Sequence, residues 1–245
     1  MARNWMISLG LCLLPSSAVF AADEVNAKPE QADQSMLMDA EQLQERPGDQ
    51  ALRILDTRAK EEFERGHLPG AIHVDVAEWK ALVASPNGLH DTTRWAKTIG
   101  DLGLETKDAH VVVYGDKHSN TARVWWLLKY VGVSNVSILD GGWPYWVKTG
   151  GATETTVSTV SATPFKPNFQ RERLAEIDPL KKSLGSVTVV DTRSSEEFAA
   201  GHIATATRLE WKTLIADDGR FKTKAELRQI FRESNILPAD MAVCY

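Results

Sequence analysis

Asp56-Thr57-Arg58 and Asp191-Thr192-Arg193 place a carboxylate two residues from a guanidinium at two points in the chain. The fork of arginine donors can hold a small oxyanion bidentately or lock onto the neighbouring carboxylate. Each triplet is followed at the same spacing by Glu-Glu-Phe (Glu61 to Phe63, Glu196 to Phe198) and by Gly-His (Gly66-His67, Gly201-His202). An imidazole offers base or metal-ligand chemistry. Both histidines stand in a turn before a strand, however, where bonding to nearby backbone is the simpler role. None of the six histidines has a partner at metal-ligand spacing, and Cys244 has no Cys or His beside it, so a zinc site is not expected. Ser119 has no evident base and reads as a loop or capping residue. Trp125, Trp126 and Trp143 read as packing residues.

The elements that carry these groups alternate between strand and helix. Leu52 to Leu55 is a compact strand ending at Asp56, and Val187 to Val190 runs into Asp191 in the same way. Arg58 to Arg65 is predicted helical, with Gly66 as its terminator. Ala71 to Val74 is a strand, and a helix from Thr92 or Thr93 ends before Gly103. Val111-Val112-Val113-Tyr114 is a continuous apolar run, the pattern of a strand buried on both faces of a parallel sheet. Helix Thr121 to Val131, strand Val136 to Leu139 and the turn Asp140-Gly141-Gly142-Trp143 complete the first copy. In such sheets ligands gather at the carboxyl ends of strands, where Asp56, Asp191, Tyr114 and Tyr245 all lie. The first pair is read as an ion pair or loop anchor. For the second, Asp191 and Arg193 are read as substrate-binding.

The repeat also sets the organisation. A period this long describes two domains of one fold and not a solenoid. The chain has 245 residues, 43% hydrophobic and 25% charged, enough for two globular domains. A formal net charge of −5 with no basic stripe argues against nucleic acid as a partner. Residues 1–22 have the form of a signal peptide. Arg3 precedes the apolar run Trp5 to Leu14, Pro15-Ser16-Ser17 breaks it, and small residues offer cleavage after Ala21 or Ala22. The run falls short of the roughly 20 residues that span a bilayer. The expectation is an exported, bacterial periplasmic protein without stable membrane insertion. Cys12 would leave with the signal. Asp23 to Gln34 is a polar leader, residues 36–149 the first domain, 150–173 a Thr-, Ser-, Gly- and Pro-rich linker, and 174–245 the second domain.

The pattern D-T-R-x-x-x-E-F-x-x-G-H-[IL], given twice, resembles the tandem-domain rhodaneses, the thiosulfate and 3-mercaptopyruvate sulfurtransferases. VVVYGDKHSNTARVWWLLKYVGVSNVSILDGGWPYW is also very like the end of their first domain. The resemblance covers about Met36 to Tyr245. It implies an α/β fold of two rhodanese-like domains, each a parallel sheet flanked by helices, with a non-catalytic first domain. The second would carry a cysteine directly after a strand ending in Tyr. There, inward-pointing amides and a helix N-terminus would favour a thiolate that accepts sulfane sulfur. The substrates would be a small anionic sulfur donor and a thiol or cyanide acceptor, with no cofactor.

The chain departs from that pattern. Gly115 and Asp116 follow Tyr114, so the first domain has no nucleophile, and Asp116 would repel an anionic donor. The second copy stops at Tyr245, so the nucleophile is expected just beyond it and no catalytic residue falls within the chain. Matching Tyr245 to Tyr114 sets Cys244 at Val113, where a buried, inert thiol is expected. The second domain is expected to be incomplete, with an exposed strand edge, poorly folded after Leu174 and inactive alone. Two other readings stand beside this one. One is a non-catalytic rhodanese-like binding or sulfur-relay protein. The other is a phosphatase of the related fold, whose loop is one residue longer.

Overall fold

The computed structural model describes residues 36–49, 51–104, 110–238 and 241–245. The proposed signal peptide and polar leader lie outside the described residues. The first part of the chain runs β1 (Leu37–Met38), α1 (Ala40–Gln44), β2 (Leu52–Asp56), α2 (Lys60–Arg65), β3 (Ala71–His73), α3 (Val76–Ala84), α4 (Thr92–Gly100), β4 (His110–Tyr114), α5 (His118–Val131), β5 (Val136–Leu139) and α6 (Gly142–Lys148). Its five strands form a parallel sheet in the order β1-β5-β4-β2-β3. The apolar run of β4 explains its central place. Val111 and Val113 join the core on one face, with Leu55, Trp95, Ile99, Val124 and Leu128. Val112 and Tyr114 point the other way, into a core with Met38, Phe63, Leu68 and Trp146. This is the two-face alternation of a strand covered by helices on both sides.

Local chemistry sets the helix ends. Asp91 caps α4, accepting from the Arg94 N–H at 2.9 Å. α5 starts at His118, three residues before the expected Thr121. The early start takes His118, Ser119 and Asn120 out of the loop and puts them on the first turn. α5 closes at Gly132, whose positive φ suits a left-handed C-cap.

The second part runs α7 (Ile177–Ser183), β6 (Thr188–Asp191), α8 (Ser195–Ala200), β7 (Thr207–Arg208), α9 (Lys224–Glu233) and β8 (Ala242–Cys244). Its three parallel strands take the order β7-β6-β8, the arrangement of β3-β2-β4 in the first sheet. The registers agree as well: Leu55 stands beside Val113, and Val190 beside Cys244. Capping boxes start α8 (Ser194 with Glu197) and α9 (Thr223 with Glu226). Val189, Val190 and Leu209 are buried, but α7, α8 and α9 bury no residue fully. One expectation needs correcting. Cys244 does occupy the strand position of Val113, but it is exposed. β4 is flanked by β2 and β5, whereas β8 has only β6 beside it and forms the sheet edge among the described residues.

The segment 150–173, although rich in loop formers, is tied to the first sheet's body. His67 and Glu154 exchange backbone hydrogen bonds of 2.9 Å each way. Thr163 N–H donates to the Gly100 carbonyl, Asn168 N–H to Val131 and Gln170 N–H to Tyr130. Phe165 is buried in the core beside them. Gly100 permits this course, because a Cβ there would stand 2.5 Å from the Thr163 carbonyl oxygen. No helix among the described residues is long and apolar enough to cross a membrane.

Candidate functional site

The two Asp-Thr-Arg triplets build closely matching constellations. In the first, Arg58 Nη2 contacts Asp56 Oδ2 and the Gly66 carbonyl at 2.6 Å each, and Arg58 Nε donates to the same carboxylate. The Tyr114 hydroxyl donates to Asp56 Oδ2 and accepts from the Leu68 N–H at 3.1 Å. In the second, Arg193 Nη2 meets Asp191 Oδ2 at 2.6 Å and the Gly201 carbonyl at 2.8 Å. The Tyr245 hydroxyl accepts from the Ile203 N–H at 2.8 Å. His67 and His202 each bond a backbone carbonyl through Nδ1, Phe63 at 2.8 Å and Phe198 at 2.9 Å, and each stacks on that phenylalanine. Both imidazoles therefore pin the turn after a helix.

The constellations differ in depth. The Asp56–Arg58 pair is fully enclosed, and the Arg58 guanidinium lies 3.7 Å over the Trp143 ring. Burial works against the Arg58 charge, yet its hydrogen bonds to Asp56 hold its pKa above the ordinary value. Asp191 has no accessible surface either, but Arg193 keeps about a third of its side chain exposed. Hydrogen bonds from the Arg193 side chain hold the Asp191 carboxyl well below the usual carboxylate range, with help from the Arg193 backbone N–H and Tyr245. A carboxylate whose folded pKa is depressed adds stability in full above its unfolded value, about 3.9. That contribution is lost as pH falls through the folded value. Acid unfolding of the second sheet, followed by circular dichroism, should therefore depend on pH below about 4, and Asp191→Asn should flatten that dependence.

The strand ends lead to one cavity of about 340 Å³ between the two sheets. Gly115, Asp116, His118 and Ser119 line it from the first part, with Ile138, Leu139 and Pro144. Thr192, Trp211, Leu214, Ile215 and Phe221 line it from the second. Thr192 is the link to the motif. Its N–H and Oγ1 both donate to the Tyr245 carbonyl, at 2.9 and 2.7 Å. Thr57 holds the Tyr114 carbonyl in the same way, at 2.9 and 3.0 Å. Gly142 shapes the opposite rim. Its φ is +55°, and a Cβ there would stand 2.3 Å from the Gly115 carbonyl oxygen, which accepts from the Trp143 N–H.

Two hydrogen bonds, with the Arg220 guanidinium 4.6 Å over the Tyr145 ring, help join the halves beside this cavity. Asp140 Oδ1 accepts from the Phe221 N–H at 2.8 Å. His118 Nε2 lies 2.8 Å from the Gly219 carbonyl, with its ring against Trp211 and Phe221. Burial raises the Asp140 pKa, with the Phe221 bond acting the other way. Sequence reasoning did not single out His118 or Asp140, because each acts on a partner at least 80 residues away and local pattern carries no sign of that. Asp116 is exposed at the cavity, where the sequence had set it against an anionic donor. Asp191 and Arg193 do not line the cavity, although the Thr192 between them does. Cys244 does not line it either, and burial pushes its thiol pKa up even though the side chain reaches the surface. Among the described residues, no group of three or more His, Cys, Asp or Glu is placed to hold a metal ion.

A five-strand parallel sheet, a second three-strand parallel sheet and the duplicated constellation define a tandem rhodanese-type architecture. Residues 39–149 match the family model for the rhodanese-like domain. The chain is 30% identical over 209 residues to thiosulfate sulfurtransferase of Gallus gallus, a match covering 76% of this chain and 72% of the relative. It is 29% identical over 252 residues to thiosulfate sulfurtransferase of Corynebacterium glutamicum, covering 92% and 80%. The fold is similar to the crystal structure of the 3-mercaptopyruvate sulfotransferase SseA from Escherichia coli. There the TM-score is 0.72 at 24% identity, over 86% of this chain and 87% of that one. The chain belongs to the rhodanese-like sulfurtransferase family, in its tandem-domain form.

Proposed function

We propose that this protein moves a sulfane sulfur from thiosulfate or 3-mercaptopyruvate to a thiophilic acceptor through a cysteine persulfide. The nucleophile in this reading is a cysteine directly following Tyr245. The observation that carries the proposal is the paired grip of Thr57 on the Tyr114 carbonyl and of Thr192 on the Tyr245 carbonyl. After Tyr114 the chain passes along the cavity wall through Gly115 and Asp116 into the first turn of α5. A residue following Tyr245 would enter the same cavity from the opposite side, where a loop wrapping into a helix N-terminus favours a thiolate. Asp191 and Arg193 are assigned to the donor side. Asp191 orients the guanidinium, and the exposed edge of Arg193 attracts the anionic sulfur compound.

The test is transfer from thiosulfate to cyanide, read as thiocyanate, together with mass spectrometry for one added sulfur atom on the cysteine-containing peptide. The chain carrying its native continuation should show both, and the chain ending at Tyr245 neither. A turnover signal from the chain ending at Tyr245 would refute the assignment.

We propose export as well, on the charge and apolar pattern of residues 1–22. In a bacterial host, fractionation should recover a periplasmic form whose N-terminal sequence begins at Ala22 or Asp23. An intact Met1 in the cytoplasmic fraction would overturn this.

A further inference from the structure

A groove of about 880 Å³ lies at the other end of the first sheet, away from the strand ends that carry the Asp-Thr-Arg triplets. Leu52, Arg53 and Ile54, the amino half of β2, line it. Ile54 packs with the core on one face of the sheet, and Ile72 of β3 with the core on the other. The groove therefore wraps the sheet edge that β3 forms. The segment after α6 closes one side. It is fastened to His67 through Glu154 and to Gly100 through Thr163, and Ser158 to Ser161 line the groove between these anchors. Val160 sits against Gly103, where a Cβ would stand 2.3 Å from its Cγ1. Leu43 and Pro69 extend the apolar wall.

The charged residues of the lining are Arg46, Arg53 and Asp49, two guanidiniums against one carboxylate. Arg46 is held in place. Its Nε and Nη2 donate to Asp49 Oδ2 at 3.0 and 2.6 Å, and its Nη1 lies 3.3 Å from His110 Nδ1. Arginine has no acceptor, so Nδ1 accepts, His110 is neutral, and its Nε2–H is directed to Ser137 Oγ at 2.9 Å. Burial pushes the His110 pKa down, and the Arg46 charge adds to that. These bonds leave one N–H on each Nη of Arg46, on a side chain that is 34% exposed. A fixed fork beside an apolar wall suits a carboxylate carried on a carbon chain. An alcohol would bring no charge to the fork, and an ammonium group would meet like charge. We propose that this groove is a separate binding site for a carboxylate with a short apolar chain, its head on Arg46 and its chain between Ile54, Ile72 and Val160. The site stands apart from the sulfurtransferase reading and involves no residue after Tyr245. A bound chain bridges the sheet edge and the crossing segment, so saturating ligand should also raise the thermal midpoint.

Calorimetry of the chain ending at Tyr245 with octanoate, octanol and octylammonium tests the head group. Octanoate should bind about three- to fivefold tighter than octanol, the scale of a part-exposed ion pair, and octylammonium should bind most weakly. Butyrate should bind at least about tenfold more weakly than octanoate, because its shorter chain buries fewer methylenes. Arg46→Gln should erase the margin of octanoate over octanol. Asp49 keeps 28% of its side chain exposed, so water can answer its charge in that variant. Thr159 lines the groove and is exposed, so changes there spare the core. Thr159→Lys should tighten octanoate about two- to threefold and Thr159→Glu should weaken it by a similar factor, which decides the matter if Arg46→Gln fails to fold. Equal affinities for the three eight-carbon probes, a margin kept by a folded Arg46→Gln, indifference to both Thr159 changes, or no binding at all would each overturn the proposal.

Discussion

Replacing Arg58 by methionine should lower the unfolding free energy by about 3–5 kcal/mol, the usual penalty for stranding one member of a buried ion pair. Asp56 would remain enclosed with only the Arg58 backbone N–H and the Tyr114 hydroxyl to answer its charge. The Gly66 carbonyl would also lose its Nη2 partner, and Trp143 the guanidinium packed on its face. Urea unfolding followed by tryptophan fluorescence reads the loss as a lower midpoint at similar slope. Adding Asp56→Asn to Arg58→Met should restore part of it, because the penalty comes from the uncompensated charge and not from the missing attraction. Arg193→Met is the internal control. The same bonds are drawn there, but Arg193 reaches solvent and no tryptophan ring covers it, so water can answer Asp191 and the effect should be clearly smaller. Equal losses at both sites would mean that burial does not set the energetics of this motif.

That contrast marks how far the residues alone lead. The duplicated triplets were legible because their bonding is local: Arg to Asp spans two residues and Arg to the glycine carbonyl eight. The burial of β4 on both faces was legible in its unbroken apolar run, which allows no solvent-facing side. What local pattern could not carry was depth. Ala242-Val243-Cys244-Tyr245 and Val111-Val112-Val113-Tyr114 read alike, yet the thiol is exposed, since burial depends on which strand lies beside it. The composition of segment 150–173 carried no sign of its attachment. It is fastened through backbone groups to Gly100, Tyr130 and Val131, and any sequence can offer those. Phe165 is the one large apolar residue between Val160 and Phe169, and it is the side chain that buries. The cavity was the least legible feature, because its walls come from both halves and are joined by contacts such as Asp140 to Phe221 and His118 to Gly219, each between residues far apart in the chain.

Cys244→Ser should leave sulfur transfer essentially unchanged, whereas serine in place of a cysteine directly after Tyr245 should abolish it by at least about a thousandfold, as loss of a covalent nucleophile does. The argument is one of direction and electrostatics. Successive side chains on a strand point to opposite faces. Tyr245 reaches the Asp191 constellation through its hydroxyl, so Cys244 points away from it. Desolvation pushes the Cys244 thiol up, and Cys244 lies within β8, paired with Val190 of β6 in the strand position of Val113. At neutral pH it stays protonated and is a poor nucleophile. Alkylation by iodoacetamide separates the two positions. Cys244 should react with a pH midpoint above the ordinary thiol value, and the loop cysteine well below it. A persulfide found on Cys244 after thiosulfate treatment, or loss of turnover in Cys244→Ser, would move the chemistry two residues back along the strand and away from the cavity that Thr192 opens.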